Sequence, residues 1–102
     1  MLGVNNLNGK IVYTHTESES FAITKSGDHQ AILFITSNRM GNASTPSIFS
    51  IPRNNSTDIE IIHEGSSIKK SQLSMNADGS ITVTTTAGTH CYYRLFDMEM
   101  IV

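Results

Sequence analysis

The chain has 102 residues, of which 38% are hydrophobic and only 16% charged, and its formal net charge is -2. This length predicts a single domain, and the seven scattered basic residues argue against nucleic-acid binding, which depends on clustered Lys and Arg. Ser, Thr and Asn make up about a third of the chain. Because these side chains suit the solvent faces and turns of β-sheets, the composition predicts an all-β protein.

The beginning of the chain differs from the rest. Residues 1–9 contain clustered Asn and no clear alternation, which predicts an N-terminal arm or linker followed by a single β-sandwich domain over 10–102. The first residues lack the basic and apolar regions of a signal peptide. No apolar run reaches the roughly 18 residues of a membrane-spanning helix. We therefore expect synthesis in the cytoplasm and no membrane insertion.

Five segments before residue 65 have the pattern of short strands. The segment 31–35 is apolar on both faces, which predicts a central strand that is covered on both sides. In the last of the five, Ile59 and Ile61 are expected to face inward. The five predicted strands cover residues 10–16, 21–25, 31–35, 47–51 and 59–63.

The segment 68–102 predicts an antiparallel meander of three strands. A turn signal, Asn-Ala-Asp-Gly, occupies 76–79, and a second one, Ala-Gly, occupies 87–88. With the upstream segments this gives about eight short strands separated by turn residues. The predicted fold class is therefore all-β, an antiparallel β-sandwich that is jelly-roll-like.

The last strand of the chain is unusually apolar. In a strand, alternate residues share one face, and here one face is apolar: Phe96, Met98, Met100 and Val102. Asp97 and Glu99 lie on the opposite face. Most chains end in polar, frayed residues. This apolar face either completes the sheet of its own domain or forms a subunit interface, and the sequence leaves both interpretations open.

No pattern in the chain predicts catalysis. The four histidines, His15, His29, His63 and His90, include no His-x-His pair of the kind that a metal site on a strand would use. The single cysteine, Cys91, has apolar neighbours, which favours a buried hydrophobic role. There is no Gly-x-Ser-x-Gly motif and no phosphate-binding loop. We expect no enzymatic activity, no metal and no cofactor.

A ligand-binding role can be assigned to a few exposed polar and aromatic residues. Glycan sites on β-domains combine an aromatic platform with Asn, Asp and Arg hydrogen bonds. Tyr92 and Arg94 in the strand, with Asn54 and Asn55 in a loop, are the candidate ligand-binding residues. The competing interpretation is that the adjacent Tyr92 and Tyr93 pack in the core and at its rim.

Several of these segments resemble the heads of bacteriophage tail fibres and baseplate appendages. The resemblance lies in LSMNADGSITV at 73–83 and YYRLF at 92–96, with the strands at 31–35 and 47–51 and the Ser/Thr/Asn bias upstream. It covers most of the chain from about Phe21 onward and includes no diagnostic motif. It implies a homotrimer of small sandwiches, located on a virion, that contacts a glycan or protein of a host surface.

Two other functions compete with this expectation of a structural, receptor-binding virion module. The first is a monomeric carbohydrate-binding module, which exposed aromatic residues in a groove would favour. The second is a small β-barrel enzyme or cupin-like metal protein, which would require at least two histidines and a carboxylate in one pocket.

Overall fold

The computed structural model describes residues 2–12, 19–25, 27–39, 45–85 and 89–100. Within these ranges, the backbone alone is described for residues 2–12, 19, 38–39, 89–90 and 97–100. The described residues form β-strands and one short 3-10 turn, Lys70–Gln72, and contain no α-helix. The strands are β1 (Leu2–Val12), β2 (Glu19–Ile23), β3 (Ala31–Arg39), β4 (Ser47–Ile51), β5 (Glu60–His63), β6 (Leu73–Met75), β7 (Ile81–Thr85) and β8 (Thr89–Met100).

The eight strands form two antiparallel sheets. The larger sheet has the order β1-β8-β3-β4-β5, and the smaller sheet has the order β2-β7-β6. The first strand pairs with the eighth and the second with the seventh, which is the nested pairing of a jelly roll. Strands β4 and β5 then extend the larger sheet. The predicted fold class, an all-β antiparallel sandwich of about eight strands, is confirmed.

A single core lies between the two sheets. Leu33 and Phe49 of the larger sheet and Val83 of the smaller sheet are fully buried in it. At the rim of this core Phe21 of β2 stacks against Tyr93 of β8, with ring centroids 6.2 Å apart. Apolar side chains from both sheets therefore meet, which is the packing of a β-sandwich.

Strand β3 lies at the centre of the larger sheet, as the apolar segment 31–35 predicts. Leu33 and Ile35 face the core, whereas Ile32 and Phe34 take the opposite face. The predicted covering of both faces is not found, because Phe34 is 39% exposed. The second face of this strand is apolar without being buried within the chain.

The predicted three-stranded meander is correct for its first two strands only. Strands β6 and β7 form a hairpin whose turn has Gly79 at φ 88°, with a hydrogen bond of 2.9 Å from Gly79 N to the Asn76 carbonyl oxygen. Strand β8 does not pair with β7, because β2 occupies the free edge of β7. It joins the larger sheet instead, between β1 and β3.

The beginning of the chain also differs from its predicted role as an arm. Strand β1 extends over Leu2–Val12 and pairs with β8 from Leu2↔Met100 to Val12↔His90. Backbone pairing needs no alternation of side chains, and the Asn-rich and Gly-containing segment therefore adds a strand that its sequence pattern does not predict. The predicted strand over 10–16 is described only as far as Val12, since residues 13–18 lie outside the described residues.

Candidate binding surfaces

The outer face of the larger sheet carries a group of apolar residues, which we call the outer apolar face. The register aligns Ile32 with Phe96, and Phe34 with both Ile48 and Arg94. Antiparallel partners share a face of the sheet, so these residues lie on one surface. The outer apolar face consists of Ile32, Phe34, Ile48, Tyr92 and Phe96, all exposed or half-buried.

Aromatic contacts organise the centre of this face. The Phe34 and Phe96 rings meet edge to face with centroids 5.3 Å apart, and the Arg94 guanidinium lies 5.9 Å from the Phe96 centroid. Beside them lies an open depression of about 240 Å³. Side chains of Phe34, Tyr92 and Arg94 lie around it, together with Pro46. This arrangement offers an apolar platform with one cation.

A polar cleft of about 340 Å³ opens near the turn that follows β4. Asp28 anchors this turn: its carboxylate accepts hydrogen bonds from Asn54 N at 2.6 Å and from the Arg53 guanidinium at 3.3 Å. The hydrogen bond from Asn54 N, supported by Arg53, lowers the pKa of Asp28. The cleft is lined by Gln30, Ser50, Pro52, Arg53, Asn55, Ser56, Asp58 and Glu60.

The four predicted ligand-binding residues fall on two different surfaces. Tyr92 and Arg94 border the apolar depression, whereas Asn55 lines the polar cleft. The side chain of Asn54 packs against Gly79, so closely that a Cβ atom on Gly79 would overlap it. The structure therefore brings no more than two of these residues, Tyr92 and Arg94, together.

The predicted interface residues belong to the end of β8. Phe96 is half-buried on the outer apolar face. Strand β8 continues to Met100, and its backbone pairs Met98 with Val4 and Met100 with Leu2. The alternation of a regular strand assigns positions 98 and 100 to the same face as Phe96. Val102 lies outside the described residues.

Strand β5 shows a further feature that the sequence pattern did not predict. Ile59, just before the strand, is buried as expected, whereas the expected burial of Ile61 is not found, because this residue is 48% exposed. Its neighbour Ile62 is 55% exposed. Ile61 pairs with the buried Phe49 and therefore lies on the inner side of the sheet, but β5 ends that sheet, and the register shift leaves Ile62 as the extra residue.

Within the described ranges, no three His, Cys, Asp or Glu side chains are arranged to hold a metal ion. Cys91 is buried, as predicted, and this burial raises the pKa of its thiol to about 11. No helix in the described part of the chain is long and apolar enough to cross a membrane.

One strand of the outer apolar face is visible in the sequence as an apolar run, but the run predicts a buried strand instead of a surface. The apolar run at 31–35 predicts a central strand that is covered on both sides. Its alternate residues, Ile32 and Phe34, are instead the centre of a surface patch. Ile48 joins this patch because β4 pairs with β3, and the sequence pattern does not predict that pairing.

Comparisons of the chain with protein-family models, with curated proteins and with solved structures give no match.

Proposed function

We propose that the chain is a non-catalytic β-sandwich module that associates with copies of itself, as a homotrimer, and contacts a host surface as part of a bacteriophage tail appendage. The observation that carries the self-association is the outer apolar face. The virion setting, the trimer and the host contact come from the sequence resemblance alone.

The outer apolar face favours association because a sheet with one solvated face normally alternates apolar and polar residues. Here the central strand places Ile32 and Phe34 outward, and β4 adds Ile48 next to them. A contiguous apolar surface of this kind is typical of an interaction site. Covering it with the same face of other copies would give a closed, symmetric assembly.

The polar cleft is the candidate site for the host contact. Arg53 and Asn55 supply hydrogen-bond donors, and Asp58 and Glu60 supply acceptors, around one open concavity. This mixture matches the hydroxyl groups of a saccharide, and a glycan is therefore the ligand that we propose. The same cleft supports the second candidate function, a monomeric carbohydrate-binding module.

A surface substitution tests the self-association. Phe34→Lys places a charge in the outer apolar face next to Arg94, and we expect it to weaken association at least about tenfold, measured by light scattering over a concentration series. Thr84→Lys is the matched control, since Thr84 is exposed on the smaller sheet. Equal masses for both variants and the unmodified chain would contradict the proposed interface.

Glycan binding distinguishes the two candidate functions. Asn55→Ala should reduce the binding of a saccharide found by array screening about tenfold, while Ser74→Ala, on the exposed side of β6, should leave it unchanged. Binding by an assembled chain supports the receptor-binding module, and binding by a chain that stays monomeric supports the carbohydrate-binding module. Failure of every saccharide to bind would reject both assignments of the cleft.

A further inference from the structure

We propose that β5 pairs edge to edge with β5 of a second copy of this chain, in antiparallel register about a two-fold axis. The proposal rests on the self-association proposed above and names an additional contact surface for it. Strand β5 ends the order of the larger sheet, so one of its sides has no strand partner among the described residues. Its unpaired backbone groups on that side are a template for another strand.

The side chains of β5 do not protect this edge in the usual way. All four of its residues are exposed, and two of them are the isoleucines Ile61 and Ile62, at 48% and 55% exposure. Edge strands normally carry several charged residues or proline to prevent pairing, whereas β5 carries one charged residue, Glu60, and no proline. Two adjacent exposed isoleucines on an edge instead provide apolar area that pairing would bury.

The register shift in β5 determines where its polar residues lie. Glu60 pairs with Ser50 and His63 pairs with Ile48, and both β4 residues are on the outer side of the sheet. Glu60 and His63 therefore share that side although they are three positions apart, because the bulge absorbs one residue. A two-fold axis perpendicular to the sheet keeps this side common to both copies.

The sequence Glu-Ile-Ile-His is complementary to itself when two copies run antiparallel. Centred between Ile61 and Ile62, the pairing places each of these isoleucines opposite the other and Glu60 opposite His63 of the second copy. A histidine ring N–H can donate to a carboxylate in either protonation state of the ring. The symmetry forms this cross-strand pair twice, and complementary pairs of this kind stabilise antiparallel strands.

The neighbouring charges leave Glu60 and His63 available for this contact. The carboxylate of Glu64, the next acidic residue, accepts a hydrogen bond from Lys70 N at 2.8 Å and lies 4.0 Å from Lys69 Nζ. Within the described part of the chain, the side chains of Glu60 and His63 make no hydrogen bond or ion pair, and Glu60 also lines the polar cleft. The self-complementary order of a hydrogen-bond acceptor and a donor is the reason to assign the edge to a second copy.

The predicted contact is limited in extent. Strand β5 has only four residues, and a two-fold contact uses the β5 edge of both copies, so the contact forms a closed pair instead of a fibre. Combined with a trimer through the outer apolar face, this contact would link two trimers. The proposed assembly then contains an even number of chains, each of 11.2 kDa.

Substitutions of Glu60 and His63 test the β5 contact. The mass of the assembly is measured by light scattering over a concentration series. His63→Glu places two carboxylates opposite each other and should weaken the β5 contact about tenfold, halving the mass of the assembly. The double variant Glu60→Lys with His63→Glu places a lysine opposite each new carboxylate and should restore the mass. His63→Gln, which keeps a hydrogen-bond donor, should change the mass little, and circular dichroism checks that each variant keeps its sheets.

The outcomes separate this inference from the proposed function. An unchanged mass in His63→Glu, or no restoration in the double variant, would overturn the β5 contact and leave the outer apolar face as the interface. Phe34→Lys should leave a dimer of 11.2 kDa chains joined through β5. If the Phe34→Lys variant is monomeric even at high concentration, the proposed β5 contact is also overturned.

Discussion

One buried hydroxyl joins the start of β4 to the segment that follows β5. The Ser47 hydroxyl, which is fully buried, donates to the Ile68 carbonyl oxygen at 2.7 Å and accepts from Gly65 N at 2.9 Å. Gly65 is itself packed so closely that a Cβ atom would overlap the Thr45 and Pro46 carbonyl oxygens. One hydroxyl therefore satisfies two backbone groups where the chain turns back towards β6.

Removing this hydroxyl should destabilise the fold. Ser47→Ala leaves a buried N–H and a buried carbonyl without partners, and we expect the free energy of unfolding to fall by about 1–3 kcal/mol in urea denaturation. Ser74→Ala, which removes an exposed hydroxyl from β6, should change it by less than about 0.5 kcal/mol. Equal stability of the two variants would mean that Ser47 has no structural role.

Cys91 illustrates a residue whose role follows from its surroundings. Its side chain is completely buried, and this burial raises the pKa of the thiol to about 11. Because the pKa of the thiol is higher in the folded state than in the unfolded state, the free energy of unfolding decreases as the pH rises above the pKa of the unfolded thiol. The thiol therefore stays neutral at physiological pH and contributes apolar volume to the core.

At the level of elements, the β6–β7 hairpin is fixed by its turn. The Asp78 carboxylate accepts hydrogen bonds from the Ser80 hydroxyl at 2.6 Å and from Ser80 N at 2.9 Å. These two hydrogen bonds lower the pKa of Asp78 from its ordinary value of 3.8. Gly79 follows with a positive φ, which any other residue adopts only with strain.

The pH dependence of stability should reveal the Asp78 contribution. A carboxyl with a lowered pKa in the folded state stabilises the protein above its unfolded pKa, and this contribution is lost as the pH falls through the folded value. Asp78→Asn should therefore be less stable than the unmodified chain at pH 7, with the difference closing at pH values below about 3.8. Thermal denaturation at several pH values measures this difference. Asp28 is present in both proteins, so its contribution to the pH dependence cancels. A difference that is independent of pH would contradict the assignment.

The strands themselves were largely predictable because alternation and turn residues are local signals. The predicted segment 47–51 has the bounds of β4. The predicted turn at 76–79 is found, and it contains the hydrogen bond from Gly79 N to the Asn76 carbonyl oxygen. The pairing of strands was not predictable in the same way. Strand β8 joins β1 and β3 instead of β7, and this depends on which edges are already occupied.

The same distinction applies to the candidate surfaces. The sequence indicated Asn55 and Tyr92 as exposed polar or aromatic residues, but only the fold could separate them into a cleft and a depression. The exposure of Ile61 goes with the position of β5 at the end of the larger sheet, which the sequence pattern alone does not encode. The outer apolar face could be identified only from the register of β3 with β4, since Ile48 lies 14 positions along the chain from Phe34.

For the whole molecule, the two apolar features outside the core have a common consequence. The outer apolar face covers the middle of the larger sheet, and β5 ends that sheet with two exposed isoleucines. A chain that stays alone would expose both features to water. Association with further copies would bury the face and pair the edge, which is the central claim of the proposed function.

The mass of the unmodified chain in solution is the most direct measurement of that claim. Light scattering over a concentration series should give a mass several times 11.2 kDa, with three chains or a multiple of three in the assembly. The assembly should dissociate on dilution, because each sandwich has its own core and can leave the assembly without unfolding. A mass of 11.2 kDa at every concentration would contradict the account.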